Sequence, residues 1–243
     1  MPAQVKPRQR DEQRLLGNVM DNVEFIIDLI EDNDWKELEH VVLSKPKAFK
    51  VVSKLVSVSK QFNGTTLLHA CLRYDPPTSL LNKMIRADPQ AIMREDCLGR
   101  TALHVAAGSG ASARTIKLLA TVYPSACNIQ DEDGRSPLHF ACDIRSELFE
   151  GDAISREPPS LDTIRFLLLG SLDAVILEDE EEMNAVEYAI LSEAPIEVVK
   201  LLQLASQTVL SKSTVMNDIS PAFGMRRKVI SRLAQPIECI ECH

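Results

Sequence analysis

Gly134-Arg-Ser-Pro-Leu-His-Phe-Ala-Cys142 decides how this chain folds, because close copies of it stand twice more upstream. Gly99-Arg-Thr-Ala-Leu-His-Val-Ala-Ala107 precedes it, and Gly64-Thr-Thr-Leu-Leu-His-Ala-Cys-Leu72 comes before that. His69, His104 and His139 therefore fall 35 residues apart. A fixed period of that size marks a solenoid, whose unit cannot bury its apolar face alone and stacks on copies of itself.

Each part of the block has a physical reason. Gly64, Gly99 and Gly134 follow polar turns, where a positive φ is cheap only for glycine. Thr66, Thr101 and Ser136 are placed as N-caps, their hydroxyls accepting from the first free N–H groups of a short helix. Pro137 suits the first helical position, whose N–H has no intrahelical partner. Small residues then follow (Ala70-Cys71, Ala106-Ala107, Ala141-Cys142), so neighbouring helices can approach closely. Histidines in one register invite a metal or a catalytic base, but one repeat apart is too far to share an ion with ligand bonds of about 2 Å. His69, His104 and His139 are expected instead to join the capping hydroxyl to a backbone carbonyl of the adjoining turn.

The block resembles the ankyrin repeat, whose core motif reads Gly-x-Thr-Pro-Leu-His-x-Ala. Gly134, Ser136, Pro137, Leu138, His139 and Ala141 all fall in place. The resemblance covers about Asp21 to Leu210. It implies an all-α-dominated, ankyrin-like solenoid of helix–turn–helix units joined by short β-hairpin-like loops. It also implies a concave surface, made of hairpin tips and the exposed face of each first helix, on which the family binds partners. By register, the residues expected to meet a partner are Arg73, Tyr74, Arg100, Ser109, Glu132, Asp133, Arg135, Asp143, Glu180 and Glu181.

Outward from the block, residues 1–20 read as a flexible basic arm. Val23, Ile26, Ile27 and Ile30 make one apolar helical stripe, and Trp35, Leu38, Val41 and Val42 a second. Together they look like a degenerate first repeat capping the stack. Pro46-Lys-Ala48 recurs as Pro89-Gln-Ala91 and Pro124-Ser-Ala126, but lies 23 residues before its histidine rather than 15. The extra residues, around Val51 to Lys60, either lengthen a hairpin or add helix. The second helices begin at Leu81 and Ile116, each 12 residues after a histidine, but Ile164 begins 25 after His139. An insertion within about 145–160, polar and closed by Pro158-Pro159, is therefore expected as a surface loop. A fourth copy, Asn184-Ala-Val-Glu-Tyr-Ala189, has Glu187 for the histidine and Glu182 for the glycine. The organisation expected is an arm over 1–20, about five units over 21–210 with degenerate outer ones, and a tail over 211–243. In that tail Met225, Val229, Ile230 and Leu233 are spaced for a short amphipathic helix.

Composition agrees. The chain has 243 residues, only 5% aromatic, which suits a leucine- and alanine-packed helical stack better than a β-sandwich. No apolar run reaches the roughly 20 residues of a bilayer span, and the first residues do not form a secretory signal, so no membrane role is expected. Cysteines where alanine would serve point to a reducing compartment, the cytoplasm by default with the nucleus open. A net charge of −8 is concentrated in Asp131-Glu-Asp133 and Glu178-Asp-Glu-Glu-Glu182, runs on adjacent hairpins. They would attract a basic segment of another protein and repel nucleic-acid phosphate.

No Gly-rich phosphate loop, Gly-x-Ser-x-Gly or His-Glu-x-x-His occurs, so no enzyme is expected. The expected function is a monomeric, non-enzymatic interaction module or adaptor, without cofactor. Cys239-Ile-Glu-Cys-His243 offers an alternative. Two thiolates and an imidazole could hold zinc or sense redox state, and the string is also that of covalent haem attachment. A metal site at Cys239, Cys242 and His243 would need a fourth ligand from elsewhere.

Overall fold

The computed structural model describes residues 22–59, 62–145, 148 and 156–219, with side chains described up to residue 212. The described residues are mainly helical, and no β-strand occurs among them; an isolated antiparallel bridge joins Glu95 to Thr101. Contacts divide the chain into two compact units, with the boundary between Ser206 and Gln207. The repeats belong to the first, which ends at Ser206.

Residues 22–44, expected from sequence as a degenerate first repeat, form a helix pair, α1 over 22–31 and α2 over Trp35–Ser44. Asn33 turns between them at φ 57°, and the Asp34 carboxylate caps α2 by accepting from the Glu37 N–H. The extra residues after Pro46 prove to be helix: α3 spans Pro46–Val58, with proline opening its first turn. α1 to α3 enclose Ile26, Ile30, Leu38, Val42, Phe49, Val52 and Val56 in one cluster that continues into the next repeat through Leu67, Leu80 and Met84. Each such fully buried side chain contributes about 1.5–3 kcal/mol against exposure.

Regular repeats come next. Their first helices are α4 (Leu67–Leu72), α6 (Ala102–Gly108), α8 (Pro137–Cys142) and α10 (Ala185–Leu191). Their second helices are α5 (Thr78–Ala87), α7 (Ala113–Val122), α9 (Leu161–Gly170) and, running on beyond the repeat, α11 (Ile196–Ile219). A first helix of six or seven residues is too short to persist alone. Each is held by packing: α6 lies against α4 and α8, α8 against α10, and α7 against α5 and α9. Ala102, Ala106 and Ala107 are fully or nearly buried there, which is why the repeat carries small residues at those positions. Short 3-10 turns, Ala91–Met93, Pro124–Asn128 and Asp173–Ile176, lead from each second helix into the next hairpin.

Candidate functional site

The hairpins are built on aspartates whose role the sequence did not announce. Asp96 Oδ1 accepts from the N–H groups of Leu98 and Arg100, at 3.0 and 2.9 Å. Asp131 does the same for Asp133 and Arg135, at 3.2 and 2.8 Å. Asp179 does it for Glu181 and Met183, both at 3.0 Å. Each is an Asx-type turn whose side chain adds two bonds to the hairpin's own backbone pairing, Asp96 N–H to Arg100, Asp131 N–H to Arg135 and Asp179 N–H to Met183. So Asp131 and Asp179, members of the acidic runs, face inward and fix the loop. Their signal is an aspartate three residues before the left-handed residue, with spacings of 35 and then 48 that include the insertion.

Adjacent hairpins join edge to edge. Cys97 N–H donates to the Asn63 carbonyl at 2.8 Å, Glu132 N–H to Leu98 at 2.9 Å, and Glu180 N–H to Asp133 at 3.0 Å. Gly64, Gly99 and Gly134 lie at φ of 74–78°, and a Cβ there would come within 3.0–3.3 Å of the next hairpin's backbone. Glycine is thus required twice over. In the last hairpin Glu182 takes the left-handed conformation itself, at φ 59°.

A side-chain seam runs beneath the hairpins. His69 Nδ1 accepts from the Thr66 N–H at 3.3 Å and lies 2.7 Å from its Oγ1. Its Nε2 reaches the Arg100 carbonyl, 3.0 Å away in the next repeat. His104 repeats this with Thr101 and the Arg135 carbonyl at 3.1 Å, and His139 with Ser136 and the Met183 carbonyl at 3.2 Å. The neutral tautomer with its proton on Nε2 satisfies both sides. Burial pushes His69 down to about 4 and His104 to about 3, and lowers His139 as well. Each of the latter two rings also meets an aromatic of the next repeat edge-on, His104 with Phe140 and His139 with Tyr188. In the fourth unit the Glu187 carboxylate accepts from the Asn184 N–H at 2.8 Å, while Asn184 accepts in return. Glutamate keeps the acceptor of the histidine and loses the donor. No further hairpin carbonyl comes after it among the described residues to need one.

The residues expected to meet a partner divide into two groups. Glu132, Asp133, Glu180 and Glu181 are exposed on neighbouring tips, and among the described residues none of them is in an ion pair. Tyr74 is 37% exposed with the Arg73 guanidinium 5.8 Å from its ring centroid, and Ser109 is half-buried. Arg100, Arg135 and Asp143 are placed differently from their expected free presentation. Arg100 is only 7% exposed, paired with the buried Asp96 at 2.7 Å. Arg135 pairs with Asp143 at 2.6 Å, its guanidinium 4.6 Å from the Phe140 ring and 5.0 Å from Tyr188. A carboxylate within the repeat turns both arginines inward.

Residues 146–147 and 149–155 of the insertion lie outside the described residues, but those described depart from a plain surface loop. Leu148 is buried and accepts at its carbonyl from Arg100 Nη1, and Arg156 donates to the Asp143 carbonyl at 2.9 Å. Arg156, Pro158 and Pro159 close one side of a cavity of about 220 Å³ also lined by Ser112 and Thr163.

Cys239, Cys242, His243 and the expected helix around Met225 to Leu233 lie outside the described residues. Among the described residues no group of three His, Cys, Asp or Glu side chains is disposed to hold a metal, and no helix is long and apolar enough to cross a membrane. Burial lifts Cys71 and Cys142 far above the usual thiol range and Cys127 to about 11, leaving them unreactive core residues. No curated protein matches the chain. Residues 84–141 match the family model for ankyrin repeats (many copies), which spans two of the hairpins and their histidine seam. Motif, seam and family match agree: residues 84–141 are built of ankyrin repeats.

Proposed function

We propose that this chain is a non-enzymatic adaptor that takes a basic segment of a partner protein on its hairpin tips. Ankyrin repeats are protein–protein interaction modules in general. What favours a basic partner is one observation: Glu132 and Asp133 sit beside Glu180 and Glu181 on hairpins joined through the Glu180–Asp133 backbone bond, and no described cation neutralises them. Like charges held side by side raise each other's potential, and binding a cationic segment relieves it. Phosphate-rich nucleic acid is disfavoured by the same field. A monomer in the cytoplasm or nucleus, with the repeats over 21–210 as one interaction domain, fits this reading.

Capture from lysate with the wild-type chain and with Glu132, Asp133, Glu180 and Glu181 all reversed to lysine is the test. The partner should be lost from the reversed chain and carry a basic segment. Retention of the same partner by both would place the interface elsewhere. Stoichiometric metal in the purified protein, lost on Cys239→Ser, would favour a metal-binding tail instead.

A further inference from the structure

Pro46 opens a helix of 13 residues where Pro124 opens a 3-10 turn of 5. The inner side of that helix, α3, is accounted for by Phe49, Val52 and Val56, buried against α1 and α2. Its outer side serves no stacking contact, yet Val51 is 53% exposed, Leu55 38% and Val58 68%. End units of a solenoid ordinarily turn a polar face outward. At about 100° per residue along a helix, these three fall in one strip with Ala48, and Lys47, Lys50 and Lys54 fall in the strip beside it. The lysines are exposed, and among the described residues none of them is in an ion pair. On its other edge the aliphatic strip leads into a groove of about 210 Å³ walled by α1, α2 and α3. Ala48 lines the groove from α3, Phe25 from α1 while 46% exposed, and Glu37 from α2. Asp28, exposed one turn beyond Phe25, adds a second carboxylate on that side. The order across this face is therefore carboxylates, Phe25, groove, aliphatic strip, lysines.

We propose that this face receives an amphipathic helix of a partner protein, its apolar stripe against Phe25 and the Val51–Leu55–Val58 strip and its acidic flank against Lys47, Lys50 and Lys54. Charge complementarity names the occupant. An amphipathic helix carries apolar side chains every three or four residues and can carry a carboxylate row along one side of them. The split sign of the rim disfavours a lipid surface, since an anionic bilayer attracted by the lysines would also meet Glu37 and Asp28. The chain's own first residues, with Lys6, Arg8, Arg10 and Arg14, bear the sign of the lysine strip rather than its complement. The inference is independent of the basic-segment reading, because it concerns the first three helices and not the acidic hairpin tips.

The probe is a phage library of random peptides about 16 residues long, enough for four helical turns, panned on the full-length chain. Enriched peptides should share apolar residues at helical spacing with Asp or Glu along one flank. Once synthesised, they should gain helical circular dichroism on binding and bind more weakly as salt rises. Two variants then test the face: Lys47, Lys50 and Lys54 all changed to Glu, and Val51→Ser with Leu55→Ser. All five positions are exposed, so the denaturation midpoints should hold. Each variant should lose affinity about tenfold or more, whereas reversing the four tip acids should leave it unchanged. No shared helical pattern, or binding indifferent to either α3 variant, would overturn the proposal. Peptides lost on tip reversal but not on the α3 changes would overturn it and uphold the basic-segment reading. Two further results would reassign the face. Lysine-dependent sedimentation with vesicles of phosphatidylcholine and phosphatidylserine, about 7:3, would give it to a lipid surface. A dimer in light scattering, broken by the Val51 and Leu55 changes, would give it to a second copy.

Discussion

The ring of His104 and the carbonyl of Arg135 lie 31 positions apart in sequence and 3.1 Å apart in space. That bond closes a buried chain running from the Thr101 N–H, through both ring nitrogens, to the next repeat. It makes the cap of one short helix and the hairpin of its neighbour a single hydrogen-bonded unit.

His104→Ala should therefore destabilise the chain by about 1–3 kcal/mol, because a buried amide and a buried carbonyl both lose their partners. His69→Ala should cost a comparable amount, since its ring is equally buried and bonded. Denaturant midpoints check this; an unmoved midpoint for His104→Ala would refute the seam.

Acid should unfold the protein in a defined window. These histidines are held neutral by burial, so their folded pKa lies below the unfolded value of 6.5. Their contribution is complete above that value. It is lost as pH falls toward about 4 for His69 and about 3 for His104, because only the unfolded chain takes up the protons. Each neutral histidine adds at most about 1.4 kcal/mol per pH unit within that window. Stability of His104→Ala measured from pH 7 to 4 should fall less steeply than that of the wild type.

Gly134→Ala and Glu182→Gly should move stability in opposite directions. The alanine would sit at φ 78° with its methyl 3.0 Å from the Asp179 Cα, and should cost about 2 kcal/mol or more. Glu182 already occupies the left-handed region, so glycine should be neutral or stabilise by up to about 1 kcal/mol. Thermal midpoints of the two variants decide it.

Once a partner is in hand, the two parts of the surface should separate kinetically. Reversing the four tip acids should slow association and flatten its salt dependence, with folding barely changed, because such charges are exposed and screened over about 8–10 Å. Tyr74→Ala should act on dissociation instead, as removal of a half-exposed aromatic contact does. Stopped-flow rates at two salt concentrations would show whether the effects divide in this way.

Much of the scaffold could be read from the Gly-x-Thr-x-Leu-His blocks, because glycine, cap and small residues each answer a local backbone demand. What escaped was set by neighbours. Asp96, Asp131 and Asp179 looked like ordinary turn acids, and only the folded hairpin turns one carboxylate of each onto two amides. Arg100 and Arg135 share a register and were expected to face outward together. Their directions depend on which carboxylate lies within reach, Asp96 for one and Asp143 for the other. Leu148 is an apolar residue in a polar insertion, and nothing in its flanks points to Arg100, 48 residues earlier. The residues after Pro46 left hairpin and helix open, and burial of Phe49, Val52 and Val56 against α1 and α2 made them helix.

Glu182 has a consequence for how copies of this molecule meet. Every hairpin whose left-handed residue is glycine has its successor pressed to within van der Waals contact. A hairpin from a second molecule would have to come as near to Glu182 as Asp179 comes to Gly134. A carboxylate-bearing side chain stands in that gap, with Glu180 and Glu181 beside it. A hairpin of a second molecule stacking by the same rule would first have to displace that side chain and bring its own backbone up to the neighbouring carboxylates.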